Sequence, residues 1–260
     1  MIVERTDLMK VMITGYGRMG QLIEQTLLAE TDEAGRPLHE VTARIDIDAD
    51  ESRGIYDASD LQKLEKCADL IMDFSNPSLT DALLAYAWRT ETPLLSGTTN
   101  LTTEQLDQIQ ALGEKVPVIW ASNYSFGINL FRHILGEIAP VLEGWDVEVT
   151  ETHHNKKVDA PSGTAKTLIQ AIDPKGECQL VYGREGNCGA RTKKEIGVHA
   201  VRGGTMVGEH KVDFFGTDEV FEITHKMGSR QILVDGAIGA GKRLLGKAPG
   251  FYTMDDLLFG

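Results

Sequence analysis

Cysteine is scarce in this chain: Cys67, Cys178 and Cys188 are the three present, and no Cys-x-x-Cys pair occurs. An odd count without that spacing indicates neither a disulfide framework nor a zinc–thiolate site, and leaves reduced structural thiols. Long apolar runs are also missing, since nothing approaches the ~18 residues of a membrane span. The opening MIVERTDLMK has no apolar core of the signal-peptide kind, so the expected location is the cytoplasm. Repeats and low-complexity segments are absent. Basic residues are few, 26 Lys and Arg against 39 Asp and Glu, for a net charge of −13. That balance argues against a nucleic-acid partner, and it makes any local cluster of cations a pointer to a small anionic ligand.

What is present is an ordinary globular composition over 260 residues, enough for a full core in one or two domains. The first half alternates buried-strand runs with amphipathic stretches. KVMIT (10–14), EVTARI (40–45), DLIMDF (69–74), PLLSG (93–97) and PVIWA (117–121) read as strands. Met19, Leu22, Ile23, Leu27 and Leu28 fall at helical spacing after the first of them. Further helices are expected near 78–89 and 102–114, the latter capped by Thr102 or Thr103. Such alternation predicts a parallel sheet with helices on both faces.

After about residue 124 the pattern changes. A helix over 127–142 leads to a strand at 145–152, then a helix over 162–172. Two-residue alternation follows in EIGVHAV (195–201), GEHKVDFF (208–215) and EVFEITHK (219–226), read as antiparallel strands with one buried face. A last helix over about 229–246 is rich in small residues and is expected to return to the first domain. The chain is therefore expected to be α/β. A Rossmann-type parallel-sheet domain (1–124 with 234–260) carries an α+β domain (125–233) whose sheet is mostly antiparallel or mixed.

The first chemical signal is TGYGRMG. Gly15, Gly17 and Gly20 form G-x-G-x-x-G after a strand and at the start of a helix, the context the motif requires. The first glycine permits a tight turn, the second lets backbone approach a pyrophosphate, and the third lets helix and sheet pack closely. Tyr16, Arg18 and Met19 complete the loop, whose N–H groups would face phosphates. The second strand ends in RIDIDAD. Asp46 is the candidate for the ribose hydroxyls, which favours NADH over NADPH, although TDEAGRPLHE places it beyond the usual ~20 residues. Arg44 or Arg53 could instead meet a 2′-phosphate, so both cofactors stay open. Three polar strand ends lie on the expected ligand rim. They are DFSNP (73–77), SGTTN with Gly97, Thr98 and Thr99, and ASNYS with Ala121, Ser122, Asn123 and Tyr124.

The second signal is ETHHNKKVDAPSGTA (151–165). His153, His154, Lys156 and Lys157 gather potential positive charge beside a helix start at Pro161–Thr164, with Pro161 read as part of the first turn. The Gly163 and Thr164 N–H groups and the helix dipole would favour a carboxylate there. Adjacent residues of a strand face opposite ways, so one histidine could exchange protons while the other binds. No third ligand or acidic partner is close in sequence, and the pair is not read as a metal site.

That stretch resembles the signature of the 4-hydroxy-tetrahydrodipicolinate (dihydrodipicolinate) reductase family. GRMG from Gly17, GTT from Gly97, ASNYS from Ala121, RGGTMVGEHKVDF from Arg202 and ITHKMGSR from Ile223 are similar to further family motifs. The likeness covers the chain from Lys10 on. It implies a Rossmann domain, a substrate domain that closes on it, and a homotetramer built through the substrate-domain sheets. The implied activity is NADH- or NADPH-dependent reduction of 4-hydroxy-2,3,4,5-tetrahydrodipicolinate, a cyclic dicarboxylate, with loss of water, in lysine and diaminopimelate synthesis. Carried over by position, His153 is the proton donor or acceptor and Lys157 the second donor. His154, Gly163 and Thr164 then bind substrate carboxylates. Two competing classes are a semialdehyde or homoserine dehydrogenase and a non-catalytic NAD(H) sensor. The former would need a cysteine nucleophile context for a semialdehyde, and the latter would need no His–Lys set.

Overall fold

A computed structural model describes residues 8–260. The stretch read for a signal peptide falls mostly outside them. The chain divides into two compact units. One runs to Ser125 and is completed by Leu233–Gly260; the other is Phe126–Ile232.

The first unit holds a six-stranded, fully parallel sheet. Its strands are β1 (Met9–Thr14), β2 (His39–Ile45), β3 (Leu70–Asp73), β4 (Leu94–Ser96), β5 (Pro117–Trp120) and β11 (Gly250–Tyr252), in the order β11-β5-β4-β3-β1-β2. Successive side chains point to opposite faces. Met12, Ile71, Leu94 and Val118 line up in register and pack with Leu83 and Ile109 from α2 (Pro77–Thr90) and α3 (Thr103–Leu112). On the other face Gly20 of α1 (Arg18–Ala29) lies against Ile13, and Gly241 of α6 (Gln231–Leu244) lies against Leu70. Caps explain where two helices begin. Asn76 caps α2 with Pro77 at its first position, and Thr102 and Gln105 form a capping box on α3. From β1 the chain crosses to β2 on one side and to β3 on the other. The carboxyl ends of β1 and β3 therefore flank the point where strand order reverses, the usual ligand position in such sheets.

The second unit is a mixed five-stranded sheet under two helices. The strands are β6 (Asp146–His153), β7 (Gln179–Val181), β8 (Glu195–Arg202), β9 (Gly208–Phe215) and β10 (Val220–Met227), in the order β10-β9-β6-β8-β7. Val147, Val149, Ile196, Val198, Val212 and Phe214 form its inner face. They meet Phe131 and Leu135 of α4 (Phe126–Ile138) and Leu168 and Ile169 of α5 (Gly163–Ile172). β9 is antiparallel to β6 and to β10, as expected. The expectation fails for β8, which runs parallel to β6 from Val147↔Ile196 to His153↔Arg202. Alternation reports a buried face, not a direction; the crossover through α5 sets the direction here. α4 also stops four residues short of the expected end, because Pro140 cannot continue a helix.

Among the described residues no helix is long and apolar enough to cross a membrane. All three cysteines are free thiols.

Candidate functional site

In the first unit the glycine loop has the form its motif requires. Gly15 sits at φ +84°, and a Cβ there would lie 2.2 Å from the Phe74 carbonyl oxygen. A Cβ on Gly20 would lie 2.2 Å from the Gly15 carbonyl oxygen. Both positions exclude any side chain on packing grounds. Gly17 differs: a Cβ there would meet nothing within 4 Å. Its side of the loop is open backbone at the start of α1, with Arg18 exposed beside it. Asp46, at the end of β2, accepts the Tyr16 N–H on one oxygen and the Asp48 N–H at 3.0 Å on the other. The structure thus brings Asp46 to the loop. Arg44 is engaged elsewhere, in an ion pair with the buried Glu24, its guanidinium 6.0 Å from the centre of the Tyr16 ring.

The polar strand ends form a single network around Asp73. Its buried carboxylate accepts the hydroxyls of Thr14 (2.8 Å), Ser75 (2.5 Å), Ser96 (2.7 Å) and Thr98 (2.8 Å). A buried carboxylate is tolerated only when its oxygens are hydrogen-bonded in this way. The Thr98 hydroxyl, expected at a ligand, is therefore used inside the protein, and its carbonyl takes the Trp120 Nε1–H at 2.8 Å. Tyr124 also turns inward, donating to the Ser96 carbonyl at 2.7 Å. Burial, then the Asp73 charge, raises its phenol well above the usual range. Gly97 lies under the Phe74 ring, where a Cβ would come within 2.4 Å of Cε1. Ala121 is half-buried and donates its N–H to the Ser96 carbonyl at 3.1 Å, and Asn123 accepts the Ser125 N–H at 2.9 Å. Thr99 and Ser122 keep exposed positions on the rim.

In the second unit β6 delivers His153 at its carboxyl end, 9% exposed. Its Nδ1–H donates to Glu151, two residues earlier on the same face and fully buried. The absence of an acidic partner is thereby corrected. The acid lies within the stretch itself, at the spacing that puts two strand side chains on one face. Arg202 donates to both Glu151 oxygens, at 2.9 and 2.7 Å. Burial works to raise the Glu151 carboxyl, but Arg202 and His153 outweigh it and hold it below the usual range. Burial lowers the His153 imidazole, and Glu151 only partly offsets that. The ring edge-stacks on His210 at 5.2 Å. His210 is pushed by burial, and then by His153, to about 4, so it is neutral at neutral pH.

Past His153 the chain leaves the sheet. His154 has a buried Nδ1 with no hydrogen-bond partner in the protein, a polar atom left for something else to satisfy. Lys157 pairs with Asp159 at 2.8 Å, and Lys156 is exposed. The helix start differs from expectation by one residue. Ser162, not Pro161, begins it: Ser162 is the N-cap, its Oγ accepts the Ala165 N–H at 3.2 Å, and α5 opens at Gly163 and Thr164. Pro161 precedes the cap. A Cβ on Gly163 would meet nothing within 4 Å, so the first turn opens outward. Ser162 also bonds His210 Nε2 at 3.1 Å and gives its N–H to Glu151 at 3.1 Å. Glu151, Arg202, Ser162 and His210 are the residues missed from the sequence. Glu151 carried a local signal in its two-residue spacing and Ser162 in its place at the helix start, whereas Arg202 and His210 depend on sheet register.

The unit with the glycine loop matches the family model "Dihydrodipicolinate reductase, N-terminus" over residues 9–124, and residues 127–258 match "Dihydrodipicolinate reductase, C-terminus". The 4-hydroxy-tetrahydrodipicolinate reductase of Staphylococcus epidermidis is 40% identical over 252 residues, covering 96% of this chain and 100% of that protein. That of an Exiguobacterium species is 36% identical over 249 residues, covering 96% and 95%. Among solved structures, dipicolinate-bound dihydrodipicolinate reductase from Paenisporosarcina sp. TG-14 has the same fold. Its TM-score is 0.77 at 23% identity, with 97% of this chain and 100% of that one covered. Two family models that between them account for both units, and relatives matched nearly end to end, place this chain in the dihydrodipicolinate reductase family.

Proposed function

We propose that the chain is a 4-hydroxy-tetrahydrodipicolinate reductase of the cytoplasm, converting 4-hydroxy-2,3,4,5-tetrahydrodipicolinate to tetrahydrodipicolinate with loss of water in lysine and diaminopimelate synthesis. The names of its relatives support this. The observation that carries it is the stretch 151–165. It sets a carboxylate-backed imidazole, a lysine and an outward-opening helix start in one short run, a donor set suited to a dicarboxylate that must be protonated.

The first unit fits a nicotinamide dinucleotide. Two of its three motif glycines are closed by backbone, and the third leaves open space where a pyrophosphate would lie. When bound, the cofactor supplies a hydride. This chain's residues do the rest. Gly163 and Thr164, at the positive end of α5, hold one carboxylate by backbone N–H. His154 takes the other, and Lys157 stands beside it as the second donor. The Lys157–Asp159 pair is no obstacle, because a half-exposed ion pair contributes about 0.2–1 kcal/mol and yields to a better-placed anion. His153 gives up its proton to the electron-rich ring.

NADH is the favoured donor. The Asp46 carboxylate faces the loop where a 2′-phosphate would need a cation, and Arg44 is taken by Glu24. A coupled assay tests both points. The substrate is made in place from pyruvate and aspartate semialdehyde by the preceding synthase, and cofactor oxidation is followed. Oxidation that requires both precursors is expected, faster with NADH than with NADPH. Asp46→Ser should raise the NADPH-to-NADH rate ratio about tenfold, equivalent to ~1.4 kcal/mol. A folded protein that binds NADH but oxidises none would instead be a sensor.

A homotetramer is proposed through the outer face of the second sheet. By register, Val201, Phe215 and Val220 lie on the face opposite the core, and they are 46, 41 and 55% exposed. Sedimentation equilibrium should give a mass of about four chains, and a monomer would reject it.

A further inference from the structure

We infer that Glu151 is the positioning residue for His153. Clamped by Arg202, its carboxylate fixes the imidazole as the Nδ1–H tautomer and leaves Nε2 as the nitrogen that exchanges a proton with substrate. The assignment deepens the reductase function proposed above and rests on it.

The geometry comes from three strands. Glu151 and His153 share a face of β6, Arg202 lies opposite His153 on β8, and His210 lies opposite Glu151 on β9. Both carboxylate oxygens are committed. Oε1 accepts the Ser162 N–H at 3.1 Å and Arg202 Nη2 at 2.7 Å. Oε2 accepts Arg202 Nη1 at 2.9 Å and the His153 Nδ1–H. Arg202 is itself fixed by the carbonyls of Asp159 and Val201, each at 2.7 Å. A carboxylate with its lone pairs filled from fixed donors cannot swing away, so the direction of the Nδ1–H bond is set before substrate arrives. The groups on His153 divide the remaining space. His210 covers the ring edge-on, and Gly208 lies by Nε2, where a Cβ would stand 3.2 Å away.

The charged and titratable groups facing His153 are Glu151 on its own strand, Arg202 on β8, Lys157 on the loop and His210 on β9. Of these, only Glu151 favours the imidazolium. Removing its charge therefore lowers the His153 pKa, and activity that needs protonated His153 is lost at a lower pH than in the parent.

The experiment compares Glu151→Gln, Glu151→Asp, His153→Gln and the double variant Glu151→Gln/His153→Gln in the coupled assay across a pH series, with NADH binding measured separately. Glu151→Gln should lower kcat at least ~10-fold, towards the ~10⁴-fold lost when the carboxylate behind a catalytic imidazole becomes an amide. It should shift the alkaline limb of kcat to lower pH and leave the NADH dissociation constant unchanged. Glu151→Asp, which keeps the charge, should recover most of the rate. In the His153→Gln background Glu151→Gln should cost almost nothing more, because the partner it acts through is gone. Arg202→Lys loosens the clamp and keeps the cation. It should lower kcat in the parent and not in His153→Gln, which preserves the test if Glu151→Gln does not fold. An unmoved alkaline limb, or a full additional loss in the double variant, would make Glu151 merely structural and overturn the inference. Near-normal turnover in His153→Gln would overturn the reductase site itself, a different failure.

Discussion

His153→Gln should lower kcat by about 10²–10⁴ while leaving NADH binding as it was, the range over which a positioned general acid accelerates proton transfer. Glutamine keeps the shape and can still donate to Glu151, so β6 and the buried carboxylate stay satisfied. What it lacks is an ionisable proton to give. Hydride arrival on an unsaturated ring leaves charge on carbon and nitrogen, and without the imidazolium that charge waits for water. Lys157→Ala should act differently. An ammonium ~4 Å from a carboxylate contributes between ~1 and ~4 kcal/mol as the surroundings pass from water-like to protein-surface-like. Its loss, which is also that of the second donor, therefore lowers kcat as well as kcat/KM. Neither residue belongs to the glycine loop, so the NADH dissociation constant, titrated separately, is the control for both changes. Steady-state rates beside a fluorescence titration of NADH separate the two effects. Normal turnover in His153→Gln would remove that residue from the chemistry.

Much of this site was legible because its residues are contiguous. The run from Glu151 to Ala165 holds histidines, lysine and helix start in one stretch, and the glycine loop needs only a strand before it and a helix after it. What escaped depends on partners distant in sequence. Asp73 sits in DFSNP, which reads as a polar strand end. Its role as a buried hub requires Thr14, 59 residues away, and Ser96, 23 away, to arrive beside it across β1 and β4. Arg202 and His210 reach Glu151 by sheet register, 51 and 59 residues on. Glu151 was different. Two-residue periodicity alone puts it on the His153 face, while its role as an anchor needs Arg202 from β8. The direction of β8 was beyond reach for a physical reason, since a strand with one buried face alternates the same way whichever neighbour it runs along.

The glycine loop yields the other large effect, and its strength lies in a contrast within one motif. Gly20→Ala puts a Cβ 2.2 Å from the Gly15 carbonyl oxygen, so helix or loop must move. Overpacking of that kind costs about 1–3 kcal/mol, and Tm should fall together with NADH affinity. A loss of binding there proves little, because the loop itself is displaced. Gly17→Ala separates the two. Its φ of −78° is not the left-handed value that demands glycine, and nothing in the protein lies within 4 Å of the new methyl. Stability should stay within about 0.5 kcal/mol of the parent. The space the methyl enters is the space a pyrophosphate would occupy against the backbone. The NADH dissociation constant should therefore rise at least tenfold, ~1.4 kcal/mol, with an unchanged melting curve. Differential scanning calorimetry beside an NADH titration reads both quantities on one sample. Unchanged affinity in a fully stable Gly17→Ala protein would mean that the phosphates do not lie over this loop, and the fit of the first unit to a dinucleotide would have to be sought along another strand end.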